Sequence, residues 1–416
     1  MRICSITAVL VIGGKGLSAQ AVTPTPAERA LVQEARIESR DLGIDRAVLA
    51  AQSRDGRLLV APQLAGGGSI RAIDSTGKVL PWAVRVGGKD ADILFPLHLG
   101  VIAGTSTAWI DDPGFRQVAL VDAAGNVVKS VESSTWIHPH WADRRAFPVF
   151  SRMEAVAVYP DTTMLIVPQR PRSLLDTPGY DRSQSRLLRI SWGGTIQRSV
   201  AVLPPEPGRL TLAAKGCDHV IMLPYAPRPT WAVSADGKRV VIAIPGVSPS
   251  DSGTVRVVAL NDRGDTVFSK RIAQPAVRVP KEQIENLLNR TRACGSIAAE
   301  QVRDSITHRT PPFRSFVTGV LVGRDYSAWI TMRAVADTSH EASAVALDAA
   351  GNAVATVRLP GDESFVAADL GHVWAAENGP RRSVSALVRY KVGATAALPS
   401  RTGRASASST PPRRPE

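Results

Sequence analysis

Two stretches of the chain say nearly the same thing: VALVDAAGNVVKSV at Val118–Val131 and AVALDAAGNAVATV at Ala344–Val357. They share DAAGN, at Asp122–Asn126 and Asp348–Asn352, roughly 226 residues apart, and self-similarity at such a distance marks a repeat architecture. Apolar and polar residues alternate into DAAGN and out of it again, which is the period of a strand. The centre reads as a hairpin turn. Its Asp bonds the backbone of the turn through the carboxylate, and its Gly takes the positive φ.

Weaker copies follow the same plan at Ile70–Val84, Leu187–Val200 and Val255–Ile272, and a truncated one, VSALVRYKV, stands at Val384–Val392 without a partner strand. Asp74, Asp122, Asn261 and Asp348 fill one slot of the turn, and Gly77, Gly125, Gly264 and Gly351 another. Upstream of each hairpin lies a second pair of short strands. Ala47–Ala51 and Leu58–Ala61 flank Asp55-Gly56, and Trp231–Ser234 and Val240–Ile244 flank Asp236-Gly237. Val317–Val322 and Ala328–Thr331 flank Asp325. Leu99–Ala103 with Ala108–Ile110, Ala155–Tyr159 with Met164–Val167, and Phe365–Ala368 with Val373–Ala375 complete the set. Asp55, Asp236 and Asp325 therefore read as turn residues.

Six units of four short antiparallel strands predict an all-β, six-bladed β-propeller, in which each sheet buries both faces against its neighbours. The sixth unit lacks an outer strand. The stretch around Leu31–Arg40, just ahead of the first unit, is its natural supplier, and the closed ring spans about residues 29–392. Trp109, Trp329 and Trp374 fall midway along second strands and are expected to fill the space between blades. Pro280–Thr307 breaks the rhythm with helical spacing (Ile284, Leu287 and Leu288, then Ile297, Val302 and Ile306), so a short helical insertion is expected between blades four and five. Such an insertion can roof the central channel. Residues 393–416, rich in Ser, Pro, Arg and Ala, read as a disordered tail.

The 416-residue chain carries a net charge of +13, mostly from arginine spread along its length. It has no run of basic residues and no zinc-finger, RRM or KH signature, so nucleic acid is not an expected partner. The excess fits attraction to something anionic. Arg2, the short apolar run Ile3–Gly14 and the small residues Ala19 and Ala21 form a signal-peptide pattern over residues 1–21. That run is too short for a membrane span, which needs about 20 residues. The mature chain is expected in the periplasm or secreted, as a monomer. Cys4 leaves with the leader. Cys217 and Cys294 are then a candidate disulfide, the alternative being two free buried thiols. Closing that loop of roughly 76 residues would stabilise the fold by roughly 4 kcal/mol.

No GxSxG, HExxH, Walker or GxGxxG motif is present, and no cofactor is expected. The one close histidine pair, His138 and His140, lies between blades two and three beside Trp141, Asp143 and Arg144, and these five are the candidate binding residues. An H-x-H pair in extended chain can present both rings to one side. A metal set would need further acids from other blades. Asp143, Glu154, Asp325 and Asp369 are the carboxylates closest in sequence to the expected channel mouth.

The DAAGN hairpins, WAVSADGKRVVIA (Trp231–Ala243) and VWAAENGPRRSVSALVRYKV (Val373–Val392) make the chain resemble bacterial exported six-bladed β-propellers of the NHL/TolB-like kind. The resemblance covers nearly all of the mature chain and implies a fold, with partners that range over proteins, glycans and small ligands. It carries no site motif. A non-enzymatic binding module with its site at the channel mouth is the leading expectation. A metal-dependent hydrolase or lyase with an axial metal is the alternative, and it requires three or more Asp, Glu, Asn or His side chains converging on the axis.

Overall fold

In the computed structural model the described residues are 22–395, apart from 45–47, 63–67, 89–90, 133–151, 170–184, 205–208, 215–216, 224–229, 291–297, 335–340 and 380–382. Six four-stranded antiparallel sheets form the blades of a propeller. Blade one is Val48–Gln52, Leu58–Pro62, Gly68–Ile73 and Val79–Val86, from hub to rim. Blade two is His98–Val101, Ala108–Asp112, Gln117–Val121 and Val127–Glu132, and blade three is Arg152–Val158, Thr163–Gln169, Ser185–Ser191 and Ile196–Leu203. Blade four is Thr230–Val233, Arg239–Pro245, Thr254–Asn261 and Thr266–Ala273, and blade five is Val317–Val322, Ala328–Arg333, Ala342–Leu347 and Ala353–Arg358. Blade six takes three strands from the end of the chain, Glu363–Ala368, His372–Asn378 and Val384–Thr395, and its outer strand from the beginning, Arg29–Glu38. The last strand thus runs past Val392 into the stretch expected to be tail.

The DAAGN turns do two jobs. Asp122 Oδ1 accepts hydrogen bonds from the N–H groups of Ala124 and Asn126, both at 2.9 Å, and Asp348 Oδ1 does the same for Ala350 and Asn352 at 2.9 and 2.8 Å. Gly125 and Gly351 take φ values of 93° and 87°, which L side chains rarely adopt. Each turn also leans on the outer strand of the preceding blade. A Cβ on Gly125 would stand 2.9 Å from the Ala83 carbonyl oxygen, and one on Gly351 would stand 2.6 Å from the Phe268 ring. The equivalent Gly77 of blade one meets Ala35, on the N-terminal strand. That strand therefore occupies the outer-strand place of blade six in full. The repeated sentence is a turn that must also clear a neighbouring sheet.

The core lies between blades. Trp109, Trp329 and Trp374 are essentially fully buried. Trp109 of blade two packs with Met153, Ala155, Met164 and Ile166 of blade three. Trp329 of blade five packs with Ala368, Val373 and Val388 of blade six. Trp374 of blade six packs with Leu58, Val60 and Ile73 of blade one. Each tryptophan fills the seam ahead of it.

Ahead of the N-terminal strand the chain runs along the rim. Thr23 N donates to Arg271 O of blade four at 2.8 Å, and Thr356 N of blade five donates to Ala27 O at 3.2 Å. One continuous strap therefore touches three blades.

Helices Lys281–Arg290 and Ala299–Arg309 form the insertion between blades four and five. A two-stranded hairpin, Arg209–Ala214 with Cys217–Met222, follows blade three. Cys217 therefore begins the second strand of this hairpin. Leu223, Val302 and Ile306 form a small core between the hairpin and the helices, with Ile221, Leu287 and Leu288 against it. Cys294 lies outside the described residues, as does the expected leader. Among the described residues no helix is long and apolar enough to cross a membrane.

Candidate functional site

In four antiparallel strands, the turn after the inner strand and the turn after the third strand point to one face. The connection from an outer strand to the next blade lies on the other. The inner-strand turns of all six blades thus crowd around the hub on one face, and the helices and the hairpin occupy the opposite face. The insertion does not roof the channel mouth built by these turns.

The turns share a frame. Ser53 N donates to Arg57 O at 2.8 Å, Tyr159 N to Thr163 O at 2.9 Å, Ser234 N to Arg239 O at 2.8 Å and Gly323 N to Ser327 O at 2.8 Å. Asp55, Asp161, Asp236 and Asp325 each fold back on the turn. Asp55 accepts from Ser53 Oγ and Arg57 N, Asp161 from Thr163 Oγ1, Asp236 from Ser234 Oγ and Lys238 N, and Asp325 from Ser327 Oγ and N. This is the role the sequence assigns to Asp55, Asp236 and Asp325. The hub is pinched where Val101 N of blade two donates across to Ala235 O of blade four at 3.2 Å. Gly100 permits that approach, since a Cβ there would stand 2.6 Å from Trp109 Nε1 and 2.8 Å from Ala235 O.

Around this pinch opens a cavity of about 560 Å³, a size typical of ligand sites, which run from about 300 to 1,000 Å³. Arg54, Arg57, Lys238, Arg324, Tyr159 and Tyr326 are among its lining residues, with Asp55, Asp161, Asp236 and Asp262. The acids are engaged. Arg189, itself buried, reaches Asp161 at 2.8 Å and Asp262 at 3.6 Å and lies 4.0 Å from the centre of the Tyr159 ring. Among the described residues neither Arg54 nor Lys238 has an ion-pair partner, and both are exposed.

Tyr326 is the bulkiest residue at its place in these turns. Its φ is 62°, at a position where the turns of blades one and four carry Gly56 and Gly237 and the turn of blade three carries Thr162 at 60°. A bulky residue held there costs about 1–3 kcal/mol of backbone strain. Its hydroxyl donates to Asp236 Oδ2 at 2.8 Å, tying blade five to blade four. The guanidinium carbons of Arg239 and Arg54 lie 5.4 and 5.7 Å from its ring centre. Burial and the Asp236 carboxylate push its hydroxyl up to about 12.

On the blade-six side, Asp369 accepts from Arg324 Nε at 2.7 Å, Gly371 N at 2.8 Å and His372 N at 2.9 Å. Burial alone would raise its pKa. The Arg324 guanidinium and the Gly371 N–H overcome that and hold the carboxyl below its ordinary 3.8. A depressed carboxylate contributes stability above the unfolded value and loses it as pH falls through the folded one. Asp369→Asn is therefore expected to cost about 1.5–3 kcal/mol at pH 7, the range for hydrogen bonds to a charged group. The difference from wild type should shrink in urea titrations below pH 4. A constant difference from pH 7 to pH 2 would contradict this assignment.

Of the carboxylates expected near the mouth, Asp325 and Asp369 are there. Glu154 stands near the start of the blade-three inner strand, 3.7 Å from His98 of blade two, towards the opposite face. His138, His140, Trp141, Asp143 and Arg144 lie outside the described residues. Among the described residues no three His, Cys, Asp or Glu side chains gather into a set that could hold a metal ion.

No protein-family model and no curated protein matches the chain. Among solved structures, it is similar to a DUF4221 family member from Bacteroides vulgatus, at 10% identity and TM-score 0.48, covering 88% of this chain and 98% of that one. It is also similar to an exported-protein candidate of Bacteroides fragilis, at 10% identity and TM-score 0.49, covering 90% and 100%. The calcium-binding protein regucalcin from Agrobacterium tumefaciens aligns at 11% identity and TM-score 0.38, covering 91% and 99%. Likenesses this distant carry no argument about function.

Proposed function

We propose that the protein is an exported, non-enzymatic binding module that takes an anionic ligand in the mouth formed by its inner-strand turns. The observation that carries this reading is the state of the charges there. Asp55, Asp161, Asp236 and Asp262 are occupied by turn hydrogen bonds or by Arg189, whereas Arg54 and Lys238 stand exposed without acids of their own among the described residues. Cations left in that state attract an anion, and a partly enclosed cleft strengthens the attraction. Export and NHL/TolB-like character rest on the leader pattern and on the repeat sequences. The hydrolase or lyase alternative finds no metal-ligand set in the described mouth.

Titration calorimetry of the purified chain with sodium glucuronate tests the reading. Binding is expected, and Arg54→Ala and Lys238→Ala should each weaken it about tenfold, the equivalent of roughly 1.4 kcal/mol. Binding should also weaken with added salt. Indifference to both substitutions, with the fold intact by circular dichroism, would refute it.

A further inference from the structure

The 560 Å³ cavity does not end at the hub. A second cavity of about 460 Å³ adjoins it, lined by Asp325, Asp369, Gly371 and His372, and the two share Arg54, Arg324 and Tyr326. Together they make a groove from Asp161 and Asp262 on the side of blades three and four to His372 of blade six. A single small anion would fill only part of it.

The lining alternates in character. Arg54, Lys238 and Arg324 donate. Asp55 and Asp161, whose side chains are 61% and 57% exposed, each already accept three hydrogen bonds, which leaves about one of a carboxylate's roughly four lone-pair sites open. Such a wall disfavours a compact polyanion such as phosphate, which would face the aspartates as well as the cations. It equally disfavours a neutral polyol, which leaves Arg54 and Lys238 unmatched. It suits a chain that carries one carboxylate per unit with several hydroxyls between. Tyr326 stands where the two cavities meet, its ring oriented by the Asp236 bond and flanked by Arg54 and Arg239. The C–H face of a sugar ring packs on an aromatic ring, and a carboxylate on that sugar would then lie beside Arg54.

We propose that the groove binds a short acidic oligosaccharide, a chain of uronic-acid units laid across the hub with one ring on Tyr326 and carboxylates on Arg54 and Lys238. This rests on reading the mouth as an anion site. The test is calorimetry of the full chain with galacturonic acid, its linear trimer and hexamer, the neutral galactose trimer, a glutamate hexapeptide and inorganic phosphate. The acidic trimer is expected to bind at least about tenfold more tightly than the monomer, the neutral trimer and phosphate, a difference well above measurement error. Tyr326→Gly installs the residue that blades one and four use at this position, so the turn should fold. It should also weaken binding of the acidic trimer about tenfold, because the stacked unit loses its platform, and unchanged trimer binding in a folded Tyr326→Gly chain would overturn the placement on Tyr326.

If monomer and trimer bind equally, or if the hexapeptide or phosphate binds best, the oligosaccharide inference fails while the anion site stands. If no anion binds in a way that depends on Arg54 or Lys238, the underlying reading fails with it.

Discussion

A chain beginning at Ser39 is expected to lose its cooperative thermal transition. The N-terminal strand pairs with Val384–Thr395 along its whole length, from Arg29 opposite Thr395 to Glu38 opposite Ala386. Arg389 pairs with Glu34 across the same ladder, and Arg36 reaches over it to Glu377 on His372–Asn378. Ile37 is buried in the cluster that joins blade six to blade one, and Leu31 packs on the cluster that joins blade five to blade six. Removal also uncovers the edge of the last strand, which then offers free backbone groups to another chain. At about 0.5–1.5 kcal/mol for each net ladder hydrogen bond, with the apolar burial added, the loss is on the order of 5 kcal/mol or more. That is comparable with the whole stability of many domains, about 5–15 kcal/mol. Closure by joining the two chain ends offsets the entropy of a ring whose blades are otherwise linked only in series. Differential scanning calorimetry of the truncated chain checks this. Refolding it with a peptide of residues 22–38 supplied in trans should restore the transition. A truncated chain that melts within a few degrees of the intact one would show that the ring does not depend on the strap.

The ring was legible in the sequence because its turns allow few residues. Asp122 and Asp348 must accept two backbone N–H groups, and Gly125 and Gly351 must combine positive φ with the absence of a side chain. The sequence is therefore forced to repeat. The missing strand was legible for a related reason. VSALVRYKV ends the chain's repeats without a partner, and LVQEARIESR stands alone ahead of them. The hairpin Arg209–Met222 alternates only over Leu210 and Leu212 and fits no four-strand unit, so the rhythm that revealed the blades hid it. The strap ahead of Arg29 was hidden by its prolines, which read as loop. The mouth was the least legible part. Arg54, Lys238, Arg324 and Tyr326 come from three different blades, and each alone looks like a solvated turn residue. One signal was available. Aligning SRDG (Ser53–Gly56), SADG (Ser234–Gly237) and GRDY (Gly323–Tyr326) puts a tyrosine where the turn calls for glycine. A residue kept against the local preference points to a demand from elsewhere in the molecule.

The same physics sets the second large effect. Trp329→Ala is expected to destabilise the protein by about 3–5 kcal/mol, the usual cost of emptying a fully buried tryptophan site. The void would open between blades five and six, where Ala344, Ala346, Ala368 and Val373 are too small to close it. Substitution by phenylalanine separates packing from hydrogen bonding. Trp329 Nε1 donates to Ser327 Oγ at 3.0 Å, and Ser327 is completely buried and itself holds Asp325 in the blade-five turn. Trp329→Phe therefore leaves Ser327 short of a donor beside the mouth. Trp109 is buried just as deeply, but its Nε1 packs against Gly100 and finds no acceptor among the described residues. Trp109→Phe removes ring area and no bond. Urea titrations should rank the losses Trp329→Ala first, Trp329→Phe second and Trp109→Phe last. The Phe pair should be separated by about 1 kcal/mol, the net value of one hydrogen bond. A reversed order of the two Phe variants would mean that the Ser327 contact contributes nothing. The blade-five turn, Tyr326 included, would then be held by Asp325 and Asp236 alone, and the stability of the mouth would be independent of the seam beneath it.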